Sequence, residues 1–239
     1  MKFSYFAAAL AASLTLTLAP AAQAGDFGAN LIVNGDAEAG TGSSNGGLVT
    51  VPGWSTESNF TVVKYGASGG FPSAVDPGPA NRGLNFFAGG ENNSSSRATQ
   101  TIDLSALSAE INTGASRYDL SGWVGGYESQ NDHATLTAYF YSGTTYVGFG
   151  SPSGGSTSDR GYHTGLLLLD AQDFIPVNTT SVVIALDMTR VSGSYNDGYA
   201  DNLSFRVAPA AVPEADAYAM LLGGLALLGV VAKRKQRKA

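Results

Sequence analysis

Ala134-Thr135-Leu136-Thr137-Ala138-Tyr139-Phe140-Tyr141 alternates without a break. Leu136, Ala138 and Phe140 fall on one side, and Thr135, Thr137, Tyr139 and Tyr141 on the other. A period of two marks a strand with one buried face. The period returns at residues 181–190, where Val182, Ile184, Leu186 and Met188 make a wholly apolar side, and at 202–207, with Leu203, Phe205 and Val207. Further strands are expected at 30–33, 60–64, 84–87, 97–104, 118–126, 146–150 and 164–170. Only 104–111 carries a helical period. Gly, Ser, Asn and Pro clusters such as 66–70 and 151–158 separate the segments as turns. Short strands in this number, with such turns, predict an all-β body folded as a two-sheet jelly-roll sandwich.

The ends of the chain read differently. Residues 1–24 hold one charge, Lys2, then an apolar run at 7–18, then Ala22-Gln23-Ala24. This is the order of a secretory signal helix, with cleavage expected between Ala24 and Gly25. Residues 217–232 carry no charge. At about 1.5 Å per residue they make a helix of roughly 24 Å, slightly short of a hydrocarbon core of about 30 Å. Lys233, Arg234, Lys235, Arg237 and Lys238 follow and should stay cytoplasmic, which puts the body outside. The expected organisation is a signal peptide at 1–24, a sandwich body at 25–211 and a tail with a transmembrane helix at 212–239.

Composition narrows the function classes. The 239-residue chain has 31 glycines, 13% charged residues and no cysteine. Its body carries 17 acidic against 7 basic residues, a net charge near −10. Such a body repels a phosphate backbone, so no nucleic-acid partner is expected. Without cysteine there is no disulfide framework and no thiolate zinc site. Stability must come from the core, with or without a hard metal ion.

Val212-Pro213-Glu214-Ala215, the apolar run and the basic cluster together resemble the PEP-CTERM sorting signal. Ala215 stands where that family usually has a second proline. The resemblance implies recognition of Val212, Pro213 and Glu214 by an exosortase-type membrane protease. It also implies an intermediate anchored in the inner membrane, followed by release to the cell surface or the extracellular matrix of an exopolysaccharide-making bacterium. A plain, uncut tail anchor is the simpler alternative.

A second resemblance spans most of 30–207. Asn30-Leu31-Ile32-Val33-Asn34-Gly35-Asp36-Ala37-Glu38, then Pro52-Gly53-Trp54, and finally Asp197-Gly198-Tyr199-Ala200-Asp201-Asn202-Leu203 are similar to landmarks of the galactose-binding-like β-sandwiches, which include carbohydrate-binding modules. The resemblance implies a structural calcium shared by Glu38 and Asp201, with Asp36 adding oxygens. Calcium prefers six to eight hard oxygens, which suits an acidic, cysteine-free exported chain. The plainer reading makes these residues turn and cap acids.

Tyr127, Asp132, Asp159, Arg160, Tyr195 and Asp197 fall in segments expected to be loops. Loops at one end of a sandwich converge in space. Aromatic faces stack on the C–H side of sugars, while carboxylates and guanidinium bond hydroxyls. These six residues are therefore the expected glycan site, with a buried ion-pair network of Asp132, Asp197 and Arg160 as the structural alternative. Trp54 and Trp123 are expected in the core.

Catalytic patterns are thin. Gly42-Ser43-Ser44-Asn45-Gly46 matches G-x-S-x-G but lacks a strand before it and a helix after. His133 and His163 are too few for a three-histidine zinc site. Two readings of different class follow. One is an exported, non-catalytic surface or matrix protein that binds exopolysaccharide or simply forms part of the matrix. The other is a secreted carbohydrate-active hydrolase using paired carboxylates.

Overall fold

The computed structural model describes residues 27–209. The signal helix, the Ala24–Gly25 junction, the Val212-Pro213-Glu214 motif and the tail helix lie outside the described residues. Ten strands form: β1 (Ser55–Glu57), β2 (Thr61–Lys64), β3 (Asn85–Glu91), β4 (Ser95–Asp103), β5 (Arg117–Gly126), β6 (His133–Ser142), β7 (Thr145–Gly150), β8 (Gly165–Phe174), β9 (Ser181–Thr189) and β10 (Tyr195–Ala208). They make two five-stranded sheets, β1-β4-β9-β6-β7 and β2-β3-β10-β5-β8, antiparallel throughout. This is the expected all-β jelly-roll sandwich. The helical period at 104–111 becomes a 3-10 turn (Ser105–Leu107) and one α-turn, α1 (Ser108–Ile111). Among the described residues no helix is long and apolar enough to cross a membrane.

Alternation builds the core between the sheets. Val182, Ile184, Leu186 and Met188 of β9 are all fully buried, facing Leu120 of β5 and Leu203, Phe205 and Val207 of β10. Each such side chain contributes roughly 1.5–3 kcal/mol by leaving water. Tyr118 stacks against Phe205 with ring centroids 6.2 Å apart and meets Phe140 at 5.1 Å. Trp54 sits edge-on to Phe87 at 5.6 Å, and its indole N–H donates to the Asn34 carbonyl, so its core assignment holds.

A second apolar cluster lies on the outer face of the β2-β3-β10-β5-β8 sheet. Val63, Phe86, Ala88, Leu166 and Tyr199 would face water there. The β2–β3 connection, residues 65–84, crosses over them instead and inserts Phe71. Arg82 fastens this strap: its guanidinium donates to the carbonyls of Pro79, Ser73 and Asp76 and lies 5.1 Å from the Tyr65 ring.

Three expectations change. Residues 30–33 form no strand. The segment runs beside β10, with Leu31 N–H donating to the Phe205 carbonyl and Leu203 N–H to that of Gly35. The Asn30 side chain accepts from Phe205 N–H and donates to the Leu203 carbonyl, so a carboxamide takes the place of ladder bonds. Residues 195–199 are the start of β10 rather than a loop; a register shift between Asn196 and Tyr199 bends the strand there. Trp123 is not in the inter-sheet core. It pairs across from Asp201 and Leu168 on the outer face and is half-buried beside the second cluster.

Candidate functional site

Two of the six expected glycan residues are spent on the protein itself. Asp132 is 1% exposed. Its carboxylate accepts the backbone N–H groups of Val191 at 2.7 Å, Ser192 at 3.0 Å and Asp197 at 3.0 Å, which ties the β9–β10 turn to the β5–β6 loop. Arg160, also buried at 7% exposure, donates to the carbonyls of Gly126, Glu128, Gln130 and His163. Both charges are met by backbone dipoles, although Arg160 Nε is buried without a partner among the described residues, and the Asp132–Arg160–Asp197 ion-pair network does not form. The ion pair found among the described residues is Arg97–Asp187, at 2.7 Å on the other sheet. Asp159 accepts from the N–H and hydroxyl of Ser156 within its own exposed turn and does not line the cleft described next.

The other three converge. Tyr127, Tyr195 and Asp197 line one open cleft of about 310 Å³, together with Phe71 of the strap, Gln130 and Asn45. Tyr195 meets Phe71 edge-on at 5.2 Å, and its hydroxyl donates to the Gly46 carbonyl. Tyr127 lies against Gly70, where a Cβ would sit 2.8 Å from its ring and φ is +86°, so glycine is required for this approach. Burial pushes the Asp197 carboxyl up to about 6; the Tyr199 hydroxyl that donates to it works the other way, and the Asp132 charge adds to the rise. Gln130 Oε1 is buried and has no partner among the described residues. The cleft therefore offers aromatic surface and a carboxylate, held from beneath by the Asp132 and Arg160 clasps.

Asp36, Glu38 and Asp201 lie near one another, and each has other partners. Glu38 Oε1 accepts from Leu84 N–H at 2.8 Å and Asn85 N–H at 2.7 Å, latching the segment after Asn34 onto the start of β3. Asp201 is fully buried and accepts from the Tyr65 hydroxyl at 2.8 Å and from Asn202 N–H. Burial pushes its carboxyl up to about 7; those two donors hold it down, and the charges of Glu38 and Asp36 raise it further. Among the described residues no three His, Cys, Asp or Glu side chains gather so as to hold a metal ion. As arranged, these three acids do not fit a calcium ligand set.

An aromatic row stands outside the sites expected from the sequence. Tyr139, Tyr141, Tyr146 and Phe149 stand together on the outer face of β6 and β7, with centroids 6.0–6.4 Å apart. Tyr146 is 51% exposed and Phe149 63%. Alternation already turned Tyr139 and Tyr141 outward. What the sequence lacked was the β6–β7 register, which sets Phe149 opposite Tyr139 and Tyr146 opposite Tyr141.

No family model matches the chain. No curated protein matches it either. Among solved structures, a cyclase from Fischerella sp. TAU, in complex with 4-(1H-indol-3-yl)butan-2-one, is 15% identical, with 76% of this chain and 98% of that one covered and a TM-score of 0.51. The enzymatically active domain of bacteriophage CBA120 tailspike protein 4 is 13% identical over 74% of this chain at a TM-score of 0.44; the chain spans 21% of its length. A CBM22-1 xylan-binding domain from Paenibacillus barcinonensis is 14% identical, covering 71% of this chain and 94% of that one at 0.40. At these identities the likeness to the cyclase is one of fold: a single β-sandwich of this size.

Proposed function

We propose that this chain is an exported, non-catalytic surface or matrix protein whose sandwich binds polysaccharide in the Tyr127–Tyr195–Asp197 cleft. The observation that carries the reading is the cleft itself. Three residues singled out for glycan chemistry, from two distant parts of the chain, line one concave site with Phe71. Concave sites with a few convergent polar groups are where small ligands are held. Against hydrolysis, Asp197 is the one carboxylate among the residues lining the cleft. A glycosidase needs two, about 5–10 Å apart. Export, sorting through Val212-Pro213-Glu214 by an exosortase-type protease and passage through the inner membrane complete the proposal; these rest on the sequence of the two termini.

The test is a glycan array with the full-length chain and its Tyr127→Ala variant. Binding to one polysaccharide class that weakens at least about tenfold in the variant supports the cleft. Wild-type binding by the variant, or release of reducing ends from the bound polymer, overturns it. A second reading moves the polymer to the Tyr146–Phe149 row, favoured by rings more than half exposed on a bare sheet face.

A further inference from the structure

Trp123 is one of two tryptophans in the chain. Trp54 is 9% exposed with its indole N–H committed to a carbonyl. Trp123 is half-buried on an outer sheet face, packed beside the second apolar cluster. It borders an open cleft of about 400 Å³ between β10, residues 30–36 and the strap. The other walls are mostly polar: Asn81, Asn202, Arg206 and Asp36. Asn202 sits in the register shift of β10 between Asp201 and Ser204, at φ +48°. A bulge of this kind re-aims a side chain. Here it brings the Asn202 carboxamide to donate to Asn81 Oδ1 at 3.2 Å. The remaining oxygen of Asn202 and nitrogen of Asn81 have no partner among the described residues. Arg206 donates through Nε to Ser204 and through Nη1 to the Gly28 carbonyl, so Nη2 remains available.

We propose that this Trp123 cleft is a second carbohydrate site, accepting a neutral pyranose that stacks on the indole and bonds its hydroxyls to Asn81, Asn202 and Arg206. A sugar suits the lining on three counts. An aromatic face matches the C–H side of a pyranose, and a carboxamide pair supplies both a donor and an acceptor to adjacent hydroxyls. Asp36 on the rim, in a body of net charge near −10, disfavours an acidic ligand. A wholly apolar ligand would strand four polar side chains. The site shares its ligand class with the proposed function and none of its residues with that cleft.

Tryptophan emission isolates the site, because Trp54 is shielded. The full-length chain is titrated with cellohexaose, xylohexaose and maltohexaose, each to about 10 mM, which covers dissociation constants down the scale from about 1 mM. At least one sugar should shift emission to shorter wavelength and halve acrylamide quenching, and should do so equally in Tyr127→Ala. By calorimetry, Trp123→Ala should bind that sugar at least about tenfold more weakly. The Trp54 emission of the variant reports that the fold is kept. Asn81→Ala, at an exposed position, should weaken binding without altering melting. Unmoved emission with all three sugars overturns the site, as does wild-type affinity in Trp123→Ala. Binding that Tyr127→Ala abolishes while Trp123 emission stays still overturns this site and leaves the proposed function standing.

Discussion

The two sheets of this sandwich treat their outer faces in opposite ways. The β2-β3-β10-β5-β8 sheet carries Val63, Phe86, Leu166 and Tyr199 outward and hides them under the 65–84 strap. The β1-β4-β9-β6-β7 sheet turns Tyr139, Tyr141, Tyr146 and Phe149 outward, with no strap above them among the described residues. Similar side chains thus do different work. Under the strap they form a second core, and the strap's borders become clefts, one beside Tyr127 and one beside Trp123. On the bare face they add little to stability. A connection that folds back over a sheet makes concavity; a sheet left open stays flat.

The largest test of that contrast is paired truncation. Tyr199→Ala should cost about 4 kcal/mol, as deletion of a buried aromatic ring does. Phe149→Ala, at 63% exposure, should stay within about 0.5 kcal/mol. Urea denaturation measures both, and equal costs would erase the distinction between the faces.

Asp132→Ala should come next, at about 3 kcal/mol. It removes the acceptor of three buried backbone N–H groups, and bonds to a charged group are the strong ones. Were Asp132 a sugar ligand rather than a clasp, denaturation would hardly move while glycan affinity fell.

Asp197 joins stability to pH. Its folded value of about 6 lies above the ordinary 3.8, so the folded state holds the proton more tightly than the unfolded chain. The stability this contributes is fully present below pH 3.8 and is lost as pH rises through about 6. At about 1.4 kcal/mol per unit, the loss is at most about 3 kcal/mol. Asp197→Asn should make the melting profile between pH 4 and 7 shallower than wild type, while Asp201, pushed up to about 7, keeps its own slope there. A profile in the variant as steep as wild type would remove Asp197 from the account.

Much of the architecture was legible because it rests on period. Val182 through Met188 and Leu136 through Phe140 announce a half-buried strand with no tertiary knowledge. The three residues of β1 are all exposed and carry no apolar alternation, so nothing in them marks an edge strand. The candidate site was legible in half. Tyr127, Tyr195 and Asp197 were found by chemistry, but Phe71 was not, since its place depends on where a 20-residue connection lies. Asp132 and Arg160 had the right chemistry for sugar and turned to the backbone instead. Buried charges need partners, and the loops supplied N–H and C=O groups first. Residue type alone puts Trp123 in the core, although its odd place in the β5 alternation, between Gly122 and Val124, turns it outward.

Glu38 and Asp201 set the smallest expected effect. With Glu38 latched to Leu84 and Asn85, and Asp201 to Tyr65, chelator should leave the melting temperature within about 1 °C, since no ion is needed to satisfy either carboxylate. A fall of roughly 5 °C or more would restore a structural calcium at these acids.

The measurement closest to the central claim is a comparison of dissociation constants by calorimetry, using the polysaccharide fragment that binds best on the array. Wild type, Tyr127→Ala and the double variant Tyr146→Ala/Phe149→Ala are titrated side by side. The account predicts at least about a tenfold loss in Tyr127→Ala and less than about a twofold change in the double variant. The reverse pattern would place binding on the bare sheet and contradict the cleft.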